Sequence, residues 1–236
     1  MSILTDTIRK QFKEGDDIRD AGLTTPDTVQ RFDNILYGDD PEWNTMDLYI
    51  PKEEKGKLPI IISFHGGGWV YGDKERYQYY CMSLAERGFA VINFTYRLAP
   101  EFKHPAPLED MNQVAHWVIS HAKDYFLDTE HIYGVGDSAG AHLITLYASI
   151  LTNKEYASTY SFKAPEGFHF NALALNCGVY NITSESELTG ALVKEYLPLG
   201  GTEEEFKEKS IDLEYEYKGK YRKLEKENNH LHKVID

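Results

Sequence analysis

The sequence predicts an α/β fold in which a mostly parallel β-sheet is flanked by helices. Two observations carry this prediction: short runs of β-branched apolar residues alternate with helix-like segments between residues 58 and 177, and glycine clusters directly follow two of the runs. A strand, helix, strand series implies right-handed crossovers, which place parallel strands in one sheet beneath helices. With 236 residues, 42% of them hydrophobic, the chain can bury one sizeable core.

The first part of the chain is predicted to hold a helix and then a hairpin. The segment up to about residue 20 has weak helical periodicity, and residues 28–37 and 43–50 have the composition of strands. Gly38-Asp39-Asp40-Pro41 between these strands is a turn sequence, so we expect them to pair antiparallel.

The next elements alternate between strand and helix. Residues 58–64, LPIIISF, form a continuous apolar run, which is typical of a strand covered on both faces. Gly88 follows a helical pattern as a plausible C-cap. Further strands are predicted at residues 89–94, 131–135 and 172–177, and helices at residues 75–87, 107–123 and 139–151.

Composition and charge limit the class of partner. A formal net charge of -13 argues against nucleic acid or an anionic membrane surface and fits a small neutral substrate better. No stretch approaches the roughly 20 apolar residues needed to span a bilayer, and the first ten residues lack the pattern of a signal peptide. We therefore expect a cytoplasmic protein without a membrane span.

Cysteine and histidine usage suggests no metal site and no cofactor. Cys81 and Cys177 lack CxxC spacing and are expected to be two buried thiols. His116 and His121 are five residues apart on a predicted helix, so they do not share a face, and no carboxylate completes a set of ligands.

The motif Gly136-Asp137-Ser138-Ala139-Gly140 fits G-x-S-x-G and lies between a short strand and an apolar helix. This is the setting of a nucleophile elbow, in which a strained turn exposes the serine hydroxyl at the end of a sheet. The glycines two residues before and after the serine allow close backbone approach, and the first N–H groups of the helix point at developing negative charge. Ser138 is therefore the predicted nucleophile.

A second motif, His65-Gly66-Gly67-Gly68-Trp69, directly follows the apolar strand that ends at residue 64. Three consecutive glycines expose backbone N–H groups, which is how a loop presents donors to a tetrahedral oxyanion. The elbow comes about seventy residues later, and this order matches the arrangement of lipases and esterases.

Together, HGGGWVYGDK, YRLAPEFKHPAPLED (residues 96–110) and GDSAG resemble the hormone-sensitive-lipase-like carboxylesterases, a family of α/β-hydrolases. The resemblance covers roughly residues 47–180. In that family the first two loop glycines and the residue after the serine supply the oxyanion N–H groups, which implies Gly66, Gly67 and Ala139 here. It further implies that His65 and Asp137 shape the loop and take no part in proton transfer.

The stretch that contains Arg97 carries no catalytic chemistry that follows from its residues. We expect a structural role, in which Arg97 pairs with Glu101 or Asp110 and fixes the loop near the elbow.

The later part of the chain departs from the family pattern. This fold places an acid and then a histidine on loops after later strands, yet no GxxD turn and no second apolar strand follow the strand at residues 172–177. One interpretation is that residues 212–218 replace the final strand and that His230 or His232 serves as base, with His232 preferred beside Leu231 and Val234. The alternative is that the tail is unrelated sequence after a truncation or frameshift, so that neither triad partner exists.

These features divide the chain into residues 1–201, an α/β-hydrolase core with incomplete C-terminal strands, and residues 202–236, a polar tail. Of the last 35 residues, 18 are charged, so the tail is expected to add little core. A missing strand would leave a sheet edge uncovered, which predicts self-association through that edge.

The function expected from the sequence is that of a carboxylesterase-type serine hydrolase. It would cleave a small carboxylic ester through an acyl-enzyme on Ser138, and slowly if the base is absent. The alternatives are a catalytically inactive hydrolase fold that binds a ligand or partner, and a truncated fragment that lacks the triad acid and base.

Overall fold

The computed structural model describes residues 3–53, 56–180, 182 and 187–202. Within these residues six strands form one sheet with the order β1-β2-β4-β3-β5-β6. The strands are β1 (Val29–Leu36), β2 (Thr45–Pro51), β3 (Leu58–Phe64), β4 (Ala90–Phe94), β5 (Leu127–Asp137) and β6 (Ala172–Asn176).

The core of the sheet is parallel, as predicted. β3 pairs parallel with β4 on one side and with β5 on the other, and β5 pairs parallel with β6. β1 and β2 form the predicted antiparallel hairpin, and β2 joins β4 antiparallel. The resulting architecture confirms the α/β class and the mostly parallel sheet.

Helices cover both faces of the sheet. They are α1 (Ile3–Asp20), α2 (Lys74–Ala85), α3 (Ala106–His121), α4 (Ala139–Thr152), α5 (Lys154–Ala157) and α6 (Glu187–Tyr196). α2 packs on β2 and β4, whereas α4 packs on β3, β5 and β6 and also contacts α3. No helix within residues 3–53, 56–180 and 187–202 combines the length and the apolar character needed to cross a bilayer.

The position of β3 between two core clusters explains why its sequence is continuously apolar. Ile60 and Ile62 belong to the larger core cluster with α3 and α4, and Ile61 belongs to the cluster around α2. None of the three side chains is more than 8% exposed. A strand buried on both faces needs apolar residues at consecutive positions, so the run at residues 58–64 was a reliable signal.

Strand β6 is the outer strand of the sheet in the part of the chain that the structure describes. It hydrogen-bonds to β5 on one side, and exposed and half-buried residues alternate along it. Cys177, directly after β6, is exposed and has a φ of +48°. The expectation of two buried thiols was therefore wrong for Cys177, because its turn follows a strand covered on one side, and right for Cys81.

The two open expectations about Arg97 have different outcomes. Arg97 pairs with Asp110, with 2.9 Å between Nε and Oδ1, and also with Glu109. Glu101 instead pairs with Arg9 of α1 at 2.7 Å. The pairing with Asp110 is confirmed and the one with Glu101 was wrong, because a helix distant in sequence occupies that carboxylate.

Candidate active site

Ser138 occupies the sharp turn between β5, which ends at Asp137, and α4, which begins at Ala139. Its φ of +49° and ψ of -116° lie in a region that non-glycine residues rarely adopt. The Ser138 backbone N–H donates to the carbonyl oxygen of Asn176 at 2.9 Å. Its side chain makes no capping hydrogen bond to α4, and the residue lines a cavity.

The two flanking glycines are required by close backbone contacts. A Cβ on Gly140 would lie 2.2 Å from the carbonyl oxygen of Phe64, and a Cβ on Gly136 would lie 2.7 Å from the carbonyl carbon of Gly140. Backbone atoms at such distances cannot move aside as a flexible side chain can. The elbow therefore packs directly against the end of β3, where the glycine loop begins.

The glycine loop turns back on itself immediately after β3. Gly67 and Gly68 have φ values of +120° and +61°, and Trp69 also has a positive φ of +64°. The Gly67 carbonyl accepts hydrogen bonds from the N–H groups of Val70 and Tyr71. All three glycines line the same cavity as Ser138, so the structure brings the two sequence motifs together.

The N–H group of Gly66 already has a partner. It donates to the hydroxyl oxygen of Tyr77 at 2.9 Å, and the Tyr77 hydroxyl donates to Oδ2 of Asp137, also at 2.9 Å. Tyr77 lies on α2 and was not singled out from the sequence, where no local pattern marks a tyrosine that contacts residues 11 and 60 positions away.

His65 is fully buried beneath the loop. Its ring stacks on Tyr96 with 4.0 Å between centroids, and its Nδ1 donates to the carbonyl oxygen of Gly66 at 2.8 Å. Burial lowers the pKa of His65 from 6.5 to about 4. The imidazole is therefore neutral at pH 7, and these contacts are of the kind that shape the loop.

Asp137 lies against Gly66 on the other side. A Cβ on Gly66 would be 2.5 Å from Oδ2 of Asp137, so a larger residue would displace the carboxylate. Burial raises the pKa of Asp137, and the hydrogen bonds from Tyr77 and from backbone N–H groups oppose that rise.

The cavity beside Ser138 has a volume of about 560 Å³. Besides the glycine loop and the elbow, its walls come from helices α1 and α6, from Tyr77 of α2 and from Val179. The lining side chains from these two helices are Gln11, Phe12, Asp16, Arg19, Leu188, Thr189 and Leu192. Apolar and polar groups thus alternate around the predicted nucleophile, as is usual for a small-molecule site.

Helix α1 is held over the cavity by Arg9. The Arg9 guanidinium donates to the carbonyl oxygens of Val70 at 2.7 Å and Ala99 at 2.9 Å, and it pairs with Glu101. Val70 directly follows the glycine loop, so α1 is tied to the segment that forms one side of the site. The helical periodicity of residues 1–20 is weak, and no local pattern in the sequence indicates this anchor.

The predicted base lies outside the described residues, as do His230, residues 212–218 and most of the predicted tail. His232 therefore stays a prediction.

Comparison with known proteins identifies the family. The family model BD-FAE matches residues 46–212. The chain belongs to the BD-FAE family. This match includes the glycine loop and the elbow, and it confirms the resemblance to hormone-sensitive-lipase-like α/β-hydrolases.

Relatives of this BD-FAE protein are esterases by name. It is 39% identical over 97 residues to versiconal hemiacetal acetate esterase of Dothistroma septosporum, covering 41% of this chain and 30% of the relative. It is 30% identical over 149 residues to ethyl acetate hydrolase of Pseudomonas putida, covering 62% of this chain and 46% of the relative. The chain thus spans less than half the length of either curated relative.

Solved structures share the fold. Esterase B from Lactobacillus rhamnosis superposes with a TM-score of 0.76 at 27% sequence identity, covering 86% of this chain and 67% of that one. The carboxylesterase EstE1, cloned from a metagenomic library, gives a TM-score of 0.67 at 23% identity, covering 90% and 74%. These similarities confirm the α/β-hydrolase fold.

Proposed function

We propose that this protein is a carboxylesterase-type serine hydrolase that cleaves small carboxylic esters through an acyl-enzyme on Ser138. One observation carries the proposal: Ser138, at a strained turn, lines the same cavity as the glycine loop. A carbonyl carbon placed next to the hydroxyl would have backbone N–H groups within reach of its oxygen. The names of the relatives support an ester as the substrate class.

In the proposed reaction the Ser138 hydroxyl oxygen attacks the ester carbonyl carbon and loses its proton to a base, for which we propose His232. The carbonyl oxygen becomes an oxyanion that accepts hydrogen bonds from backbone N–H groups. Collapse of this intermediate expels the alcohol, which takes the proton from the base, and water then releases the carboxylic acid from the acyl-enzyme.

The expected oxyanion donors were Gly66, Gly67 and Ala139. The N–H of Ala139 belongs to the first turn of α4, where N–H groups have no partner inside the helix. The N–H of Gly66 is bonded to Tyr77, so an oxyanion would compete with the Tyr77 hydroxyl for this donor. We therefore propose Gly67 and Ala139 as the donors, and Gly66 as a residue that holds the loop.

The size of the cavity favours a small substrate. At about 560 Å³ it falls within the range of roughly 300–1,000 Å³ typical of small-molecule sites. Phe12, Leu188 and Leu192 offer apolar surface to an acyl or alcohol chain. Acetate and butyrate esters are accordingly the first substrates to test.

A fluorophosphonate probe tests the proposed nucleophile directly. We expect a single adduct, located by mass spectrometry on the peptide that contains Ser138, and none in Ser138→Ala. Hydrolysis of p-nitrophenyl acetate should fall to the level of buffer in the same variant. Labelling of Ser138→Ala equal to that of the unmodified chain would contradict the proposal.

A second candidate function is ligand binding by a catalytically inactive hydrolase fold. The sequence after β6 favours it, because no GxxD turn and no second apolar strand follow residues 172–177. It predicts a cooperative melt, saturable binding of an ester analogue and no turnover. The variant His232→Ala distinguishes the two functions. It lowers probe labelling if His232 is the base, and it leaves ligand binding unchanged if the fold is inactive.

A further inference from the structure

We infer that Tyr77 is a positioning residue that fixes the glycine loop to the nucleophile elbow and so decides which loop N–H groups face the reacting carbonyl. The inference rests on the proposed function and adds a residue to it. Tyr77 lines the cavity, and we assign it no part in proton transfer.

The Tyr77 hydroxyl bridges the two halves of the site. It accepts the N–H of Gly66 from the glycine loop and donates to Asp137, the residue before Ser138, with both distances at 2.9 Å. Between Gly66 and Asp137 there is no space for a side chain, because a Cβ on Gly66 would meet the carboxylate at 2.5 Å. The bridge thus joins groups that already touch, and it sets their orientation.

The support for Tyr77 comes from a third element. Tyr77 lies in the first part of α2, whose N-terminus is capped by Asp73 accepting from the Arg76 N–H at 2.9 Å. α2 packs on β2 and β4, so the hydroxyl is carried by a rigid helix on the face opposite α4. A rigid support is what a positioning group needs if it is to hold a catalytic geometry within a fraction of an ångström.

The bridge has a consequence for the oxyanion donors. The N–H of Gly66 points at the Tyr77 hydroxyl, and the carbonyl oxygen of the same peptide unit, that of His65, accepts from the Tyr96 hydroxyl at 2.8 Å. The following peptide units then turn through the positive φ of Gly67. Without the Tyr77 hydroxyl, this peptide unit loses one of the two side-chain hydroxyls that fix its plane, and the loop N–H groups after it are held less firmly.

The hydroxyl keeps its proton under all ordinary assay conditions. Burial raises the pKa of Tyr77 far above its usual value, and the neighbouring charge of Asp137 raises it further. Tyr77 therefore remains a donor to Asp137 and an acceptor from Gly66 throughout the neutral range.

The test compares Tyr77→Phe with Tyr79→Phe. Tyr79 is a matched control because it lies on the same helix and its hydroxyl donates to the carbonyl oxygen of Leu23 at 2.9 Å. We expect Tyr77→Phe to slow fluorophosphonate labelling of Ser138 about tenfold or more and to lower kcat for p-nitrophenyl acetate while KM stays within about twofold. Tyr79→Phe should match the unmodified chain in both.

A double-mutant cycle with Asp137→Ala keeps the test independent of stability. If Tyr77 acts through the bridge, the labelling rate of the double variant is close to that of the slower single variant. If the two substitutions acted independently, their effects on the labelling rate would instead multiply. Multiplying effects, or a Tyr77→Phe variant that labels as fast as the unmodified chain, would overturn the inference. Absence of labelling in the unmodified chain would instead overturn the proposed function.

Discussion

The indole of Trp69 lies face to face with the phenol of Tyr196, with 5.1 Å between ring centroids and 13° between ring planes. Trp69 ends the glycine loop and Tyr196 ends α6, and both side chains are fully buried. Leu192, one turn earlier on α6, lies close to Gly68. The glycine loop therefore packs against α6 as well as against the end of the sheet.

This stacking predicts that Tyr196 stabilises the loop through its ring more than through its hydroxyl. Tyr196→Ala removes a buried aromatic side chain and should lower the free energy of unfolding by about 3–5 kcal/mol. Tyr196→Phe removes the hydrogen bond between the hydroxyl and Nδ1 of His104, 2.8 Å long, and should cost about 1 kcal/mol. Urea denaturation measures both, and equal losses would show that the ring contact contributes nothing.

Gly140 should tolerate no side chain. In Gly140→Ala the new Cβ meets the carbonyl oxygens of Phe64 and His65 at 2.2 and 2.6 Å, so the elbow must move away from β3. We expect a loss of about 2–4 kcal/mol together with loss of probe labelling at Ser138.

Gly15→Ala is the matched control for Gly140. Gly15 lies in α1 with an open environment around its Cβ position, and alanine is the better helix former by about 0.5–1 kcal/mol. The melting temperature should therefore rise slightly in Gly15→Ala and fall in Gly140→Ala. A neutral Gly140→Ala variant would refute the close packing of the elbow on β3.

The buried imidazole of His65 should make stability depend on pH. Because its pKa is lowered from 6.5 in the unfolded chain to about 4 in the folded chain, the unfolded chain binds a proton first as the pH falls. As far as His65 is concerned, the free energy of unfolding is therefore highest above pH 6.5. It falls as the pH drops toward 4, by about 3 kcal/mol in total.

Chemical denaturation between pH 7 and 4 tests the assignment to His65. His65→Phe keeps a ring against Tyr96. It should remove the part of the change in unfolding free energy with pH that comes from one buried histidine. His169→Asn alters an exposed histidine and is the control for the removal of a histidine as such. An unaltered slope in His65→Phe would assign the pH dependence to other groups.

The Arg9 anchor should control the opening of α1. Arg9→Ala removes the hydrogen bonds to Val70 and Ala99 and the ion pair with Glu101, a loss of about 1–3 kcal/mol. Amide hydrogen exchange in α1 should accelerate about tenfold or more. Because α1 lines the cavity, the KM for an ester should change more than kcat.

Lys13→Ala provides the comparison within the same helix. The ion pair of Lys13 with Asp17 is exposed, and such pairs contribute about 0–1 kcal/mol. Exchange in α1 should therefore stay close to that of the unmodified chain. Equal acceleration in Lys13→Ala and Arg9→Ala would mean that the contacts with Val70 and Ala99 do not hold the helix.

The sheet and both glycine motifs could be predicted because their signals are local. The run at residues 58–64 is apolar at every position because both faces are buried, and the predicted bounds of β3 were exact. β5 was predicted to begin four residues too late, since its first residues include Asp128 and Glu130. They lie at half-buried and exposed positions between the buried residues Leu127 and Ile132, so hydrophobicity does not mark this part of the strand.

The supports of the site could not be predicted because they depend on contacts between distant parts of the chain. Tyr77 and Arg9 each lie in helices whose local sequences contain other residues of the same type. Only the packing of α2 and α1 brings these two side chains to the glycine loop. For the same reason the sequence could not show that the N–H of Gly66 has a partner on α2.

The backbone at Ser138 carries a further implication. A backbone with a φ of +49° costs a residue with a Cβ roughly 1 kcal/mol or more of conformational free energy compared with glycine. Selection for stability alone would favour glycine at this position. A serine at this position is what selection for a hydroxyl group would produce.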